Sequence, residues 1–395
     1  MLSRMELGIK RPLLAVAAVL AVLLAGWFLS GSMAEPDDVA VADTARAGSG
    51  KGGIPKEDLK IGVVYLSDPA EGAGYTYTHD LGIQEMQLNI GLKDEQILRL
   101  VNVADNDEAQ IEAALQECVD KKCNIVFATS FGYMDTVEKF AARYPEIHFF
   151  HATGYKSNNT NFNNYFGRIY QPRYLSGLVA GSKTKSNMIG YVAAMGSENA
   201  EVTGGIDAFA MGIYAVNPQA KVYVKVTNSW FDPVKEKEAS EQLLAMGCDV
   251  MSQHCDTAYP MKLAEDKGVW GVGYNSDMRK QTPGSALVSV IWHWGAFYTD
   301  AVQQLMDGTW QPHNYYEGMS EGIVGITELS NENDARVKEL VSQAELDILQ
   351  GRQKVFTGVI ETNDGGTVGT AGQDFSDGDI TGNLHWYFKN VVIVP

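Results

Sequence analysis

The sequence is poor in the groups that metal, disulfide and nucleic-acid chemistry require. Its 395 residues include only four cysteines, and Cys118, Cys123, Cys248 and Cys255 do not form the paired CxxC spacing of a zinc array. Bases number 31 against 49 acids, a formal net charge of −18, so a polyanion is repelled and nucleic acid is excluded as a partner. No GxSxG elbow is present to support a serine hydrolase. Gly72-Ala73-Gly74 lacks the third glycine of the dinucleotide fingerprint, because Tyr77 occupies that position. Gly177 to Thr184 (GLVAGSKT) has the wrong glycine spacing for a phosphate loop, and Asp374 to Asp379 (DFSDGD) lacks the glutamate of a calcium loop. With no paired base and nucleophile, the chain is expected to have no catalytic activity, cofactor or bound metal.

One long apolar run is present. Pro12 to Leu29 carries no charge, follows Arg4, Lys10 and Arg11, and precedes Ser32-Met33-Ala34, the small-residue pattern accepted by signal peptidase. Residues 1–34 therefore read as a cleaved export signal or an uncleaved membrane anchor, and residues 35–57, small, polar and glycine-rich, as a flexible spacer. Either reading places the body of the chain in the periplasm or another extracytoplasmic space. In that oxidising setting a short turn brings Cys118 and Cys123 within pairing range, whereas the extended run DVMSQH holds Cys248 and Cys255 too far apart.

From residue 58 onward, strand-length apolar runs alternate with helical segments. KIGVVYL (60–66), 97–103, NIVFA (124–128) and IHFFHA (147–152) are separated by expected helices at 79–91, 105–119 and 134–144. A second set has strands at 188–193, 221–227, 249–253 and 269–274, with helices at 171–182, 199–216, 233–246 and 259–267. Such alternation specifies an α/β protein with parallel sheets covered on both faces. The boundaries that follow are lobe 1 at 58–165, lobe 2 at 166–275, and a crossover back with shared C-terminal segments at 276–395. Ligands of open α/β sheets bind beyond the carboxyl ends of the strands. The loops there are aromatic and acidic: SDPAEGAGYTYTHD, TSFGYMD, NSWFDP, HCDT and NSDM. They offer Tyr75, Tyr77, Phe131 and Trp230 as flat surfaces and His254, Asp256 and Asp277 as polar partners, a surface suited to a planar, hydrogen-bonding ligand. Of the neighbours Trp230 and Phe231, the first is expected to face the cleft and the second to staple the helix opened by Asp232-Pro233.

The ordered segments GYTYTHDLG, SFGYMDTVEKFAARYPEIHF, NYFGRIYQPRYLSGLVAG, GIDAFAMG, NSWFDPVKEKEASEQLLAMGCDVMSQHCD and GVGYNSDM resemble the basic membrane protein family of substrate-binding proteins of ABC importers. The likeness spans roughly residues 58–310, with a weaker match at VFTGVIETNDG. It implies a type I periplasmic-binding fold, two Rossmann-like lobes closing on a purine-like ligand, and docking on a membrane permease. That family supplies an aromatic and an amide from the loop after the first strand, where this chain has Tyr75-Thr76-Tyr77. Family members carry a ribose-holding lysine three residues after a serine, where this chain has Ser289 and Trp292. The expected ligand is thus a purine nucleobase or a similar planar heterocycle, with Trp292 added to the contact residues and the protein acting as a monomer. The alternatives are a nucleoside-binding protein and the ligand-binding subunit of a membrane sensory receptor.

Overall fold

The computed structural model describes residues 52–395; the expected export signal or anchor and nearly all of the spacer lie outside the described residues. The chain begins with β1 (Ile61–Val64), a 3-10 turn at 69–71, α1 (Gly74–Ile90), β2 (Ile97–Leu100), α2 (Glu108–Asp120), β3 (Ile125–Ala128), α3 (Met134–Arg143), β4 (His148–Ala152) and β5 (Phe162–Gly167). A second series follows: α4 (Tyr170–Lys183), β6 (Met188–Ala193), α5 (Ala200–Val216), β7 (Lys221–Val226), α6 (Pro233–Ala245), β8 (Val250–His254), α7 (Tyr259–Asp266), β9 (Trp270–Asn275) and β10 (Ala286–Trp292). The remainder comprises α8 (Trp294–Asp307), β11 (Tyr315–Glu317), β12 (Val324–Ile326), α9 (Ala335–Leu349), the hairpin β13 (Thr357–Glu361) and β14 (Thr367–Asp374), α10 (Asp377–Gly382) and β15 (Val391–Val394).

Two sheets organise these elements. The first has the order β11-β5-β4-β3-β1-β2 and is parallel throughout; the second has the order β12-β10-β9-β8-β6-β7-β15 and is parallel except for β12. The central strands IGVV and IVFA are buried at every residue, as strands must be when helices cover both faces. In each sheet the strand order reverses beside the first strand of its series, β1 in one and β6 in the other, which creates the crevice where α/β proteins bind ligands. The chain passes between sheets after β5, after β10 and between β11 and β12.

Local chemistry sets the helix starts. Asp107, Asn199, Asp232 and Asp334 each accept a backbone N–H at the head of α2, α5, α6 and α9, and Pro233 fills the first position of α6. Three elements depart from the sequence pattern. Helix α1 starts at Gly74, so Tyr75 and Tyr77 are helical rather than in a loop. In its first turn Thr78 Oγ1 donates to the Tyr75 carbonyl at 2.7 Å and accepts from Trp294 Nε1 at 3.3 Å. Strand β5 is a further element, hidden because FNNYFG is half polar; the Asn164 amide reaches the Lys156 carbonyl and Asn314. Phe231 is 52% exposed and so is no staple for α6. The four cysteines are buried free thiols, with Cys118 and Cys123 in hydrogen-bond contact across the α2–β3 turn.

Helices α4 and α5 pack so closely that glycine is required where they cross. A Cβ on Gly177 would fall on the Phe209 carbonyl oxygen, and one on Gly212 on the Tyr174 carbonyl oxygen. Because backbone rather than a flexible side chain blocks the space, Gly177→Ala should destabilise the fold by about 1–3 kcal/mol. Urea unfolding checks this: the midpoint should fall with the slope unchanged, and an unaltered midpoint would show that the helices separate freely.

Candidate functional site

The carboxyl ends of the two sheets face a cleft of ≈ 810 Å³. From the first sheet it is lined by Tyr75 in the first turn of α1, Phe131 after β3 and Phe166 at the end of β5; from the second, by Glu201 in the first turn of α5, Trp230 after β7, Asp256 after β8 and Tyr274 on β9. Among the described residues, no lysine or arginine contributes to this lining. The Tyr75 ring packs edge-on against His79 with centroids 4.3 Å apart, and its hydroxyl is buried without a protein partner. A buried hydroxyl of this kind favours a ligand with polar atoms.

Asp256 links the two walls. It accepts from Asn275 Nδ2 at 2.8 Å and from the Tyr75 backbone N–H, while its own N–H donates to the Trp230 carbonyl at 2.8 Å. Gly74 makes the approach possible: at φ +83° it adopts a left-handed conformation, and a Cβ there would stand 2.6 Å from the Asp256 carbonyl oxygen. The amino end of α1 thereby closes one side of the cleft.

Behind the second wall lies a buried polar group of residues. Arg173, on α4, donates from Nη1 to the Gln253 carbonyl at 2.8 Å and stacks 4.1 Å over the Tyr274 ring; its Nε and Nη2 have no hydrogen-bond partner. Burial pushes the Glu201 carboxyl up to about 8, opposed by the Arg173 charge and assisted by Asp256. Burial likewise raises Asp256 to about 7, against its hydrogen bond from Asn275. His254 Nε2 stands 3.5 Å from Glu201, yet burial, aided by Arg173, holds the imidazole well below its ordinary value, so this contact is not an ion pair near neutrality.

Four of the eight residues singled out in the sequence, Tyr75, Phe131, Trp230 and Asp256, share the cleft lining. The other four lie outside it. Tyr77 is half-buried on α1. His254 is fully buried at the end of β8, edge-on to Tyr274 at 4.7 Å and to Trp230 at 5.8 Å, supporting the wall from behind. Asp277 caps a 3-10 turn and pairs with Arg279 at 2.6 Å. Trp292 is buried, stacked on Trp294 and packed at a tilt against Phe166, and donates its indole N–H to the Tyr274 hydroxyl at 3.2 Å. Sequence reasoning missed Glu201, Tyr274 and Phe166. Glu201 follows the capping Asn199 and so resembles an ordinary first-turn acid, and Phe166 sits on the strand whose asparagines hide it.

Comparison with known proteins follows from this geometry. Residues 59–355 match the family model described as ABC transporter substrate-binding protein, PnrA-like. A purine-binding protein of Brucella abortus is 36% identical over 336 residues, 85% of this chain and 93% of the relative. A putative ABC transporter glucose-binding protein of Haloferax volcanii is 34% identical over 309 residues, covering 78% and 77%. Among solved structures, a solute-binding protein of an ABC transporter system from Conexibacter woesei superposes with a TM-score of 0.63 at 16% identity, over 75% of this chain and 98% of the other. The shared fold is the type I periplasmic-binding fold.

The raised carboxyls make a pH test of the site. Between the ordinary glutamate range and about pH 8, folded Glu201 holds a proton that the unfolded chain has lost, so stability falls as pH rises through that interval. From pH 7 to 8.5 the ligand-free protein should lose thermal stability, and Glu201→Gln should lose distinctly less. Scanning calorimetry at both pH values is the check; equal losses would mean that Glu201 is ionised at neutrality in the folded chain.

Proposed function

The chain belongs to the PnrA-like family of ABC transporter substrate-binding proteins, and from that premise we propose that it binds a purine nucleobase reversibly and delivers it to a membrane permease from an extracytoplasmic compartment. The observation that carries the reading is the meeting on one cleft of Tyr75 from the first sheet with Trp230 and Asp256 from the second. Flat rings suit a heteroaromatic ligand, and a carboxyl raised to about 7 serves as acceptor or, protonated, as donor for a ring edge. Among the described residues the lining has no lysine or arginine, which supports a neutral ligand and offers no ammonium for a ribose. Trp292 occupies its own volume in a stack behind the wall rather than supplying such a group. The purine-binding name of the Brucella relative agrees with this reading.

Binding acts by closure. Contacts from both sheets stabilise the state in which the walls approach, and the ligand shifts the equilibrium by its difference in affinity for the two states. That closed form is the species a permease recognises. Calorimetric titration with adenine, hypoxanthine, guanine, their ribosides and glucose tests the assignment; glucose is included because of the name borne by the Haloferax relative. Bases should bind more tightly than ribosides, and Trp230→Ala should weaken base binding by about 2 kcal/mol, roughly 30-fold, through lost area and ring contact. Tighter riboside binding, or binding of glucose alone, would overturn the reading.

A further inference from the structure

The family model ends at residue 355, yet the cleft has a wall beyond it. Helix α10, between the C-terminal hairpin and β15, brings Asp377, Ile380 and Thr381 to the lining. We propose that this C-terminal arm, latched by Arg168, forms the outer wall of the ligand cleft and selects a bare heterocycle over one that carries a sugar; the proposal rests on the purine reading above.

The latch is a charged fork. Arg168, just past β5 where the chain leaves the first sheet, donates from Nε and Nη2 to the two carboxylate oxygens of Asp377 at 3.2 and 2.9 Å, and from Nη1 to Glu317 Oε2 at 3.2 Å. Glu317 ends β11, where the chain leaves the first sheet again. One guanidinium thus ties two inter-sheet connections to the arm, with the bidentate geometry that fixes position as well as charge. Elsewhere the arm is seated by apolar contacts and by backbone bonds. Ile380 and Leu384 are buried, Leu384 lies against Gly204 of α5, and the His385 ring bridges the Ser197 and Gly382 carbonyls at 2.6 and 3.0 Å.

The gradient of exposure around the cleft assigns the arm its role. The inner lining, Tyr75, Trp230 and Asp256, is half-buried, and the contact of Gly74 with Asp256 closes that end. The outer lining is exposed: Phe131 at 55%, Tyr155 at 68%, and Asp377 and Thr381 on the arm. A ring held by the inner residues must therefore direct any substituent outward, into the space that α10 borders. Held down, the arm limits that space; released, it admits the sugar.

Dissociation constants for adenine and adenosine, measured on wild type, Arg168→Met and Asp377→Asn, test this. Releasing the latch should lower the riboside-to-base ratio of dissociation constants by at least about fivefold, since discrimination here rests on steric rejection. An unchanged ratio in Asp377→Asn, whose exposed side chain the core does not need, overturns the proposal even if Arg168→Met fails to fold. Base binding with an unchanged ratio removes the arm alone from the account, whereas wild type that binds neither ligand removes the purine reading and the arm's role together.

Discussion

The stack of Trp292 on Trp294, with ring centroids 4.3 Å apart and planes within 7° of parallel, is the contact on which the geometry of the cleft depends. It sits where β10 of the second sheet gives way to α8, which packs on α1 beside the first sheet. Aromatic contacts continue in both directions. His79 of α1 lies 4.2 Å from Trp294 and nearly parallel, and Phe166 of β5 lies 4.9 Å from Trp292. Both indole N–H groups are satisfied, by Thr78 and by Tyr274. Residues from both sheets thereby share one rigid column, and the lining residues Tyr75, Phe166 and Tyr274 are all attached to it.

On this frame the inner site gains its electrostatic character from burial rather than from paired charges. Arg173 offers a fixed positive charge behind the wall, Glu201 and Asp256 titrate near neutrality, and His254 stays neutral beside them. In the proposed binding mode such a wall can present either a donor or an acceptor to an uncharged heterocycle. The chain's large negative charge is therefore not a guide to its ligand.

The parallel sheets were legible because strands covered on both faces read as unbroken apolar runs such as IGVV and IVFA. Phe131, Trp230 and Asp256 were legible as cleft-facing because each lies just past a strand's carboxyl end, and Tyr75 because it belongs to the connection that follows β1. Strand β5 was obscure for the opposite reason: it is half polar, and Asn164 finds partners in the Lys156 carbonyl and the Asn314 side chain, which local pattern does not reveal. The start of α1 depended on α8, more than 200 residues away in sequence. Glu201 and the arm residue Asp377 belong to the cleft through tertiary placement alone, and Asp277, which stands in the same kind of loop as Asp256, is drawn away by Arg279 two residues on.

In the proposed binding mode a planar heterocycle is held between the two sheets by groups from both. A crystal structure of the protein grown with adenine tests it directly. The ring should lie within contact distance of Tyr75 and Trp230, with one edge hydrogen-bonded to Asp256. Electron density for adenine outside this cleft, or contacts drawn from one sheet only, would contradict it.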